Sequence, residues 1–197
     1  TGKHTALIDL KGVIGVESKA GADKMIQALN AAFKDKHTQG VILRINSPGG
    51  SPVQSGYIND EIRRLRAKYP DVPLHAVVQD LCASGGYYVA CAAQRVYANP
   101  GTITGSIGVI MPFMSVKDLV EKIGVKGMTV KSGAFKDLGS PMRDMTPQER
   151  ELLQGVVDNV HLQFVNAVAA GRNLNREDVL RIADGRIFTG EQARELG

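Results

Sequence analysis

The sequence has no tryptophan, two cysteines, four histidines and only 5% aromatic residues among its 197 residues. Its apolar runs are far shorter than the roughly 20 residues that cross a bilayer as a helix. The net charge is only +4, and the basic residues are scattered along the chain, so we predict no nucleic-acid partner. With 43% hydrophobic residues and no low-complexity tract, the chain is neither disordered nor collagen-like.

The two cysteines carry little chemical information. Cys82 and Cys91 are nine positions apart, a spacing that fits neither a close pair of metal ligands nor a disulfide framework. We therefore predict two small buried side chains, and we predict neither a metal nor another cofactor for this chain.

Apolar runs alternate with helical patterns in the first half of the chain. Strands are predicted at residues 6–10, 40–45 and 74–78, and helices at 23–34 and 55–68. This β-α-β-α-β order predicts an α/β fold with a largely parallel sheet and flanking helices, which binds ligands where strand ends meet helix starts. No linker or internal repeat interrupts the pattern, so we predict a single domain over residues 1–197.

The second half is predicted to be mainly helical, with short strands between the helices. The predicted helices are 86–93, 116–123, 146–170, 175–182 and 190–196, and the predicted strands are 95–98, 107–110 and 125–130.

Two glycine-containing turns follow predicted strands. They are Asn46–Gly50, with the sequence NSPGG, and Ala83–Gly86, with the sequence ASGG. Glycine lets backbone N–H groups approach a ligand closely, and a serine at a helix start lies near the positive end of the helix dipole. Each motif is compatible with a simple tight turn, and the two together indicate an acyl-transfer site with Ser84 as the candidate nucleophile.

A serine nucleophile needs a base, and the residues leave two kinds open. The four histidines lie near the terminus, in a charged turn, at a strand start and within a helix, and none has an obvious acid partner: His4, His37, His75 and His161. Lysine is the other candidate, provided that its amine is neutral. Lys136 lies among small and apolar residues after a predicted strand, where it is either such a base or a solvated loop residue.

Four motifs occur in order over nearly the whole chain, and they are followed by Gly185–Gly190: Asn46–Ser51, Cys82–Tyr88, Thr104–Val109 and Ser132–Asp137. In this combination they resemble the signal peptide peptidase A (SppA)/SohB family of membrane-bound serine proteases. The resemblance implies a crotonase/Clp protease-like α/β fold. It also implies a single SppA-like peptidase domain, and we expect a membrane anchor that lies outside this chain.

The same resemblance assigns roles to five residues. Ser84 is the implied nucleophile, Lys136 the implied general base, and Ser106 is implied to hydrogen-bond and orient the lysine amine. The backbone N–H groups of Gly50 and Gly85 are implied to form the oxyanion hole.

Related proteases offer a contrast in the base. In the related Clp protease a histidine is the base, whereas this chain has no histidine between His75 and His161, which favours the Ser-Lys form. Because such a dyad needs no buried carboxylate, Asp80 and Asp137 receive no catalytic role.

The resemblance also implies partners and a location. Substrates are expected to be cleaved signal peptides or other hydrophobic, membrane-derived peptides, cleaved on the extracytoplasmic side of a membrane. The family assembles into ring- or dome-shaped homo-oligomers. In these, the lysine of one subunit can serve the serine of another, so dyads within or between chains both remain open.

Two further functions are considered beside the peptidase. A crotonase-type acyl-CoA enzyme shares the fold and the oxyanion hole, but it needs no serine in the ASGG turn, and no adenine-phosphate site is apparent. The other is a non-catalytic membrane scaffold, which loss of activity in Ser84→Ala would exclude.

Overall fold

The computed structural model describes residues 2–197. The elements of this part of the chain follow one another in this order: β1 (His4–Lys11), α1 (Ala22–Lys34), β2 (Thr38–Ser47), α2 (Pro52–Lys68), β3 (Leu74–Ala83), α3 (Gly85–Ala90), β4 (Arg95–Tyr97), β5 (Ile103–Gly105), α4 (Lys117–Lys122), α5 (Pro147–Arg172), α6 (Arg176–Ile182), β6 (Ile187–Thr189) and α7 (Gly190–Glu195).

The chain divides into two compact units. The described residues up to Gly108, together with Leu162–Gly197, form one unit, which we call the sheet unit. Val109–His161 form the other, which we call the 109–161 unit. Helix α5 begins in the 109–161 unit and ends in the sheet unit.

The sheet unit contains a mostly parallel sheet. Its strands have the order β1-β2-β3-β5-β6, and β4 also pairs with β3. All pairings are parallel except that of β5 with β6, which is antiparallel. The predicted α/β fold with a largely parallel sheet and flanking helices is therefore confirmed.

A continuous apolar core stabilises the sheet unit. Leu43 and Ile45 of β2 are fully buried, as are Ile58 and Ile62 of α2, while Leu65 is 1% exposed. Residues two apart in a strand and three or four apart in a helix share a face, so these positions line one side of each element. A second apolar cluster contains Cys91, Ile107, Phe164, Val165, Val168, Val179 and Ala183.

The 109–161 unit has no such core. All its residues are described, and only one, Glu149, is buried. Ile110, Met128 and Val130 are 88%, 93% and 102% exposed. Within residues 2–197, no helix is both long and apolar enough to cross a membrane.

Two predicted strands are wrong. Residues 107–110 and 125–130 contain no strand, and the strand before Ser106 is β5, Ile103–Gly105. A strand persists only when a neighbour accepts its hydrogen bonds, and neither run has a pairing partner in the described chain. The short strands β5 and β6, which pair with each other, were not predicted.

Candidate active site

The two glycine-containing turns lie side by side at one edge of the sheet. Strand β2 ends at Ser47 and β3 ends at Ala83, and Ser47 pairs with Cys82 in the parallel register. Parallel neighbours end at the same edge, so the topology brings the NSPGG and ASGG turns together.

Ser84 has a strained backbone. Its φ of 52° and ψ of −126° lie where residues other than glycine are rarely found. Two hydrogen bonds retain this conformation: the Ser84 N–H donates to the Gly105 carbonyl at 2.9 Å, and the Tyr88 N–H donates to the Ser84 carbonyl at 3.0 Å. Residual strain of this kind is typical of functional turns, including the sharp strand-to-helix turn that presents a nucleophilic serine.

The glycines allow the two turns to approach closely. A Cβ on Gly49 would lie 2.9 Å from the Ser84 Cβ and 2.5 Å from the Gly85 nitrogen, which is too close for any side chain. A Cβ on Gly85 would overlap the Ser55 hydroxyl and lie 3.3 Å from the Gly50 nitrogen. Neither the Gly50 N–H nor the Gly85 N–H has an acceptor among residues 2–197. Two neighbouring backbone donors are thus available beside Ser84.

Ser47 organises the first turn, a role that the sequence analysis missed. Its fully buried hydroxyl donates to the Gly12 carbonyl at 2.7 Å and accepts from the Gly49 N–H at 3.1 Å. The Ile14 N–H also donates to the Gly49 carbonyl at 2.8 Å. The conformation of the turn therefore depends on residues 12–14, which lie far away in sequence. The serine within the NSPGG motif was the sequence feature that could have indicated this role.

Ser106 lies on the neighbouring strand end. Gly105 pairs with Ala83, and its carbonyl accepts from Ser84, so Ser106 follows directly after the residue that holds the candidate nucleophile. Ser106 has a φ of 51°, and its N–H donates to the Arg186 carbonyl at 2.8 Å. In the described chain only three residues other than glycine have positive φ, and Ser84 and Ser106 are two of them.

Lys136 lies in the 109–161 unit, in an irregular segment between α4 and α5. It does not follow a strand, contrary to the prediction from residues 125–130. Its side chain is exposed, and its N–H donates to the Gly133 carbonyl at 3.1 Å. The structure therefore groups Ser84, Ser106, Gly50 and Gly85 in the sheet unit and places Lys136 in the other unit.

Charged side chains surround the backbone next to Lys136. The Arg143 guanidinium donates to the Asp137 carboxylate through Nε and Nη2, both at 2.9 Å, and through Nη1 to Glu149 at 2.8 Å. Lys131 Nζ donates to Asp137 at 2.6 Å. These bonds, with Arg143 the largest cause, lower the pKa of Glu149 to about 2 and hold the pKa of Asp137 well below its usual range. Asp137 is thus a structural ion-pair partner.

Three of the four histidines belong to the sheet unit and lie far from Ser84. His4 pairs with Thr38 at the amino ends of β1 and β2, where Asp35 lies 3.2 Å from His37 Nδ1 and 3.6 Å from His4 Nε2. His75 is near the start of β3, whose ten residues span roughly 30 Å at 3.3 Å per residue before Ser84. The fourth, His161, belongs to the 109–161 unit.

The remaining candidate residues have structural surroundings. Asp80 is exposed and accepts from the Asn46 amide at 3.3 Å. Cys82 and Cys91 are buried free thiols, as predicted, and burial raises the pKa of Cys91 to about 11. Within residues 2–197, no three His, Cys, Asp or Glu side chains are grouped so that they could hold a metal ion.

The fold and the edge that carries these turns define an α/β protein of the crotonase/Clp protease-like class. Comparison with known proteins gives the family. Residues 66–197 match the model of peptidase family S49. The chain is also 41% identical, over all its 197 residues, to a protein of Synechocystis sp. that is provisionally named a protease. The chain therefore belongs to peptidase family S49, and its resemblance to the SppA group is confirmed.

Two other relatives carry more specific names. Over 83% of the chain, it is 41% identical to an Enterococcus faecium protein provisionally named signal peptide peptidase SppA. Over 89% of the chain, it is 33% identical to the Arabidopsis thaliana protein named serine protease SPPA, chloroplastic. The chain spans 69% of the Synechocystis protein, but only 47% and 26% of these two relatives.

Proposed function

We propose that this chain is a serine endopeptidase that hydrolyses cleaved signal peptides or other hydrophobic, membrane-derived peptides. Ser84 is the nucleophile and Lys136 the general base. One observation carries the proposal: a strained, partly exposed serine lies beside two backbone N–H groups that have no acceptor within the described chain. Membership of a peptidase family makes peptide hydrolysis the reaction that such a site serves.

The reaction proceeds through an acyl-enzyme. The neutral amine of Lys136 takes the Ser84 hydroxyl proton, and the Ser84 oxygen forms a bond to the peptide carbonyl carbon. The resulting ammonium gives its proton to the leaving amine as the C–N bond breaks. Water, deprotonated by the same lysine, then attacks the ester and releases the second product, and the proton returns to Ser84.

Three further residues support these steps. The N–H groups of Gly50 and Gly85 stabilise the negative oxygen of the tetrahedral intermediate, because preorganised donors need no rearrangement when charge develops. The Ser106 hydroxyl binds the Lys136 amine and orients it toward Ser84. The positive φ of Ser106 and its position next to Gly105 support this role.

The substrate class and location are inferred from the relatives. The name signal peptide peptidase supports a hydrophobic peptide substrate released at a membrane. We infer membrane association through a segment outside this chain, with the catalytic domain on the extracytoplasmic side. Exposed apolar residues of the 109–161 unit, such as Ile110 and Met114, support assembly into a homo-oligomer, since apolar patches on a lone subunit are normally covered.

Hydrolysis of an apolar, signal-like peptide tests the proposal. We expect the wild type and Lys126→Ala, an exposed lysine of the same unit as Lys136, to cleave it. Ser84→Ala and Lys136→Ala should be inactive and should assemble like the wild type. Activity in Lys136→Ala would contradict the assignment of Lys136 as the base. Activity in Ser84→Ala would contradict the assignment of Ser84 as the nucleophile. If the wild type hydrolyses an acyl-CoA but no peptide, the crotonase-type reaction is favoured. If the wild type hydrolyses neither, the non-catalytic scaffold is favoured.

A further inference from the structure

The segment that carries Lys136 lacks the usual means of fixing a side chain. Residues 123–146 contain neither helix nor strand, and none of their apolar side chains is buried. Connections of this length without regular structure are uncommon in compact proteins, and a base must be held within a fraction of an ångström to work. Some other interaction must therefore define the position of Lys136.

Arg143 supplies such an interaction. Its guanidinium binds the Asp137 carboxylate with two N–H groups at 2.9 Å and also donates to the Asp137 carbonyl at 3.3 Å. Nη1 reaches Glu149 at 2.8 Å, and Nη2 makes a further bond to the other oxygen of Glu149. A planar guanidinium bonded to two carboxylates has little freedom to move, which a lysine ammonium would not reproduce.

Glu149 connects this cluster to helix α5. Its carboxylate accepts from the Thr146 N–H at 2.8 Å, and its own N–H donates to the Thr146 hydroxyl at 3.2 Å, which is a capping box. Glu149 is 2% exposed and is the one buried charged residue in the described chain. A buried carboxylate is costly unless it is paired, and Arg143 supplies the opposite charge that pairs with Glu149.

Asp137 transmits the restraint to Lys136. The two residues are consecutive, with Cα atoms about 3.8 Å apart, so holding Asp137 limits how far the backbone of Lys136 can move. The Asp137 carboxylate is also bound to Lys131 Nζ at 2.6 Å, and Lys131 donates to the Ala134 carbonyl at 2.9 Å. Both flanks of Lys136 are thereby held, and the nearest carboxylate in sequence is already bound to two cations other than Lys136.

We propose that Arg143, bound between Asp137 and Glu149, is the positioning residue for Lys136, and that it keeps the Asp137 carboxylate from pairing with the Lys136 ammonium. This inference rests on the proposed function, in which Lys136 is the base. The charged groups of the cluster are Lys131, Asp137, Arg143 and Glu149, and the nearby Asp144 is bound to Lys117 at 2.5 Å.

Steady-state cleavage of the apolar peptide by Arg143→Met tests the inference. We expect kcat to fall by about 100-fold with little change in KM, because a base displaced by about an ångström loses that much. The profile of kcat/KM against pH should also move to higher pH, since Asp137 becomes available to retain the proton on Lys136. The kcat of Arg143→Lys should lie between those of the wild type and Arg143→Met, because one ammonium cannot bridge both carboxylates.

The matched control is Arg181→Met, which removes a side chain that is 76% exposed and bound to Asp178 on α6. It should match the wild type in kcat and in pH profile. If Arg143→Met does not fold, Arg143→Lys decides, at equal melting temperature: lower kcat supports the inference, and wild-type kcat overturns it. The inference is also overturned if the activity of Arg143→Met falls only in proportion to the fraction of folded protein and its pH profile is that of the wild type.

The failures of the two proposals are distinguishable. Wild-type kcat and pH profile in Arg143→Met, beside an inactive Lys136→Ala, would refute the positioning role and leave the dyad intact. Wild-type activity in Lys136→Ala would instead refute the base itself, and with it the role of Arg143.

Discussion

The turn that carries Ser84 and the segment that carries Lys136 are stabilised by different forces. Ser84 follows a strand whose apolar residues are part of the main core, and its turn is held by backbone hydrogen bonds and by the buried Ser47 hydroxyl. Lys136 lies in a unit whose only buried residue is a glutamate, and its neighbours are held by ion pairs.

The turn around Ser84 and the segment around Lys136 should therefore respond differently to pH and salt. Apolar burial and backbone bonds do not depend on pH, and they tolerate strain such as that of Ser84. Ion pairs with partly exposed partners are weaker, and they respond to pH and salt. We therefore expect the nucleophile to be fixed under most conditions and the position of the base to be the more sensitive feature.

The largest expected effect separates activity from stability in the sheet unit. Ser84→Gly should lower kcat/KM by about 10⁴-fold or more, because the nucleophile is lost. The free energy of unfolding should stay the same or rise by up to about 2 kcal/mol, because the relief of roughly 1–3 kcal/mol of backbone strain exceeds the roughly 0.5–1 kcal/mol of chain entropy that glycine adds. Peptide hydrolysis and urea unfolding measure the two quantities. A clear loss of stability would mean that Ser84 is not strained.

Gly50→Ala should damage the same unit through its backbone. Gly50 has a φ of 150°, and an added Cβ would overlap the Ile14 carbonyl oxygen and lie 2.8 Å from the Ile14 nitrogen. Displacement of one oxyanion donor lowers kcat by about 10²–10³-fold. A transition-state analogue such as a peptide boronate should lose affinity in parallel. Full activity in Gly50→Ala would exclude its N–H from the oxyanion hole.

Two leucine truncations sharpen the comparison of the units. Leu43→Ala opens a cavity at a fully buried position of β2 and should reduce the free energy of unfolding by about 3 kcal/mol. Leu152→Ala, at a position of α5 that is 46% exposed, should change it by less than about 0.5 kcal/mol. Chemical denaturation measures both variants. Equal losses would show that Leu152 is covered in solution, as in an oligomer.

Acid should loosen the segment around Lys136 before it affects the turn around Ser84. The pKa of Glu149 is lowered to about 2 and that of Asp137 is lowered further, so their pairing with Arg143 is fully present above the ordinary carboxyl pKa of about 4. This contribution is lost as the pH falls from about 4 through the lowered values. Hydrogen exchange at pH 6 and pH 2, corrected for chemical rates, should show reduced protection at the Lys136 amide and retained protection at the Ser84 amide. The reverse order would contradict the comparison.

The sequence predicted the sheet unit much better than the 109–161 unit. Residues such as Ile58, Ile62 and Leu65 form a periodic pattern that local sequence reveals, and the glycine turns follow from the strands that precede them. Residues 125–130 looked like a strand because they are rich in apolar residues, but a strand also needs a partner, which local sequence cannot reveal.

The polar interactions that hold the site were harder to predict. Ser47 bonds to Gly12, 35 residues away, and Arg143 bonds to carboxylates on both sides of it in sequence. A single sequence does not indicate which charged residues pair. The spacing of Thr146 and Glu149 is that of a capping box, but it does not indicate Arg143. Whether Ser84 and Lys136 form a dyad stays a prediction.

The most direct test of the dyad is covalent labelling with a fluorophosphonate probe, followed by mass spectrometry of the modified peptide. The account predicts a single phosphonylated residue, Ser84, in the wild type, and labelling of Lys136→Ala that is slower by orders of magnitude at neutral pH. Labelling at another residue, or Lys136→Ala protein that is labelled as fast as the wild type, would contradict it.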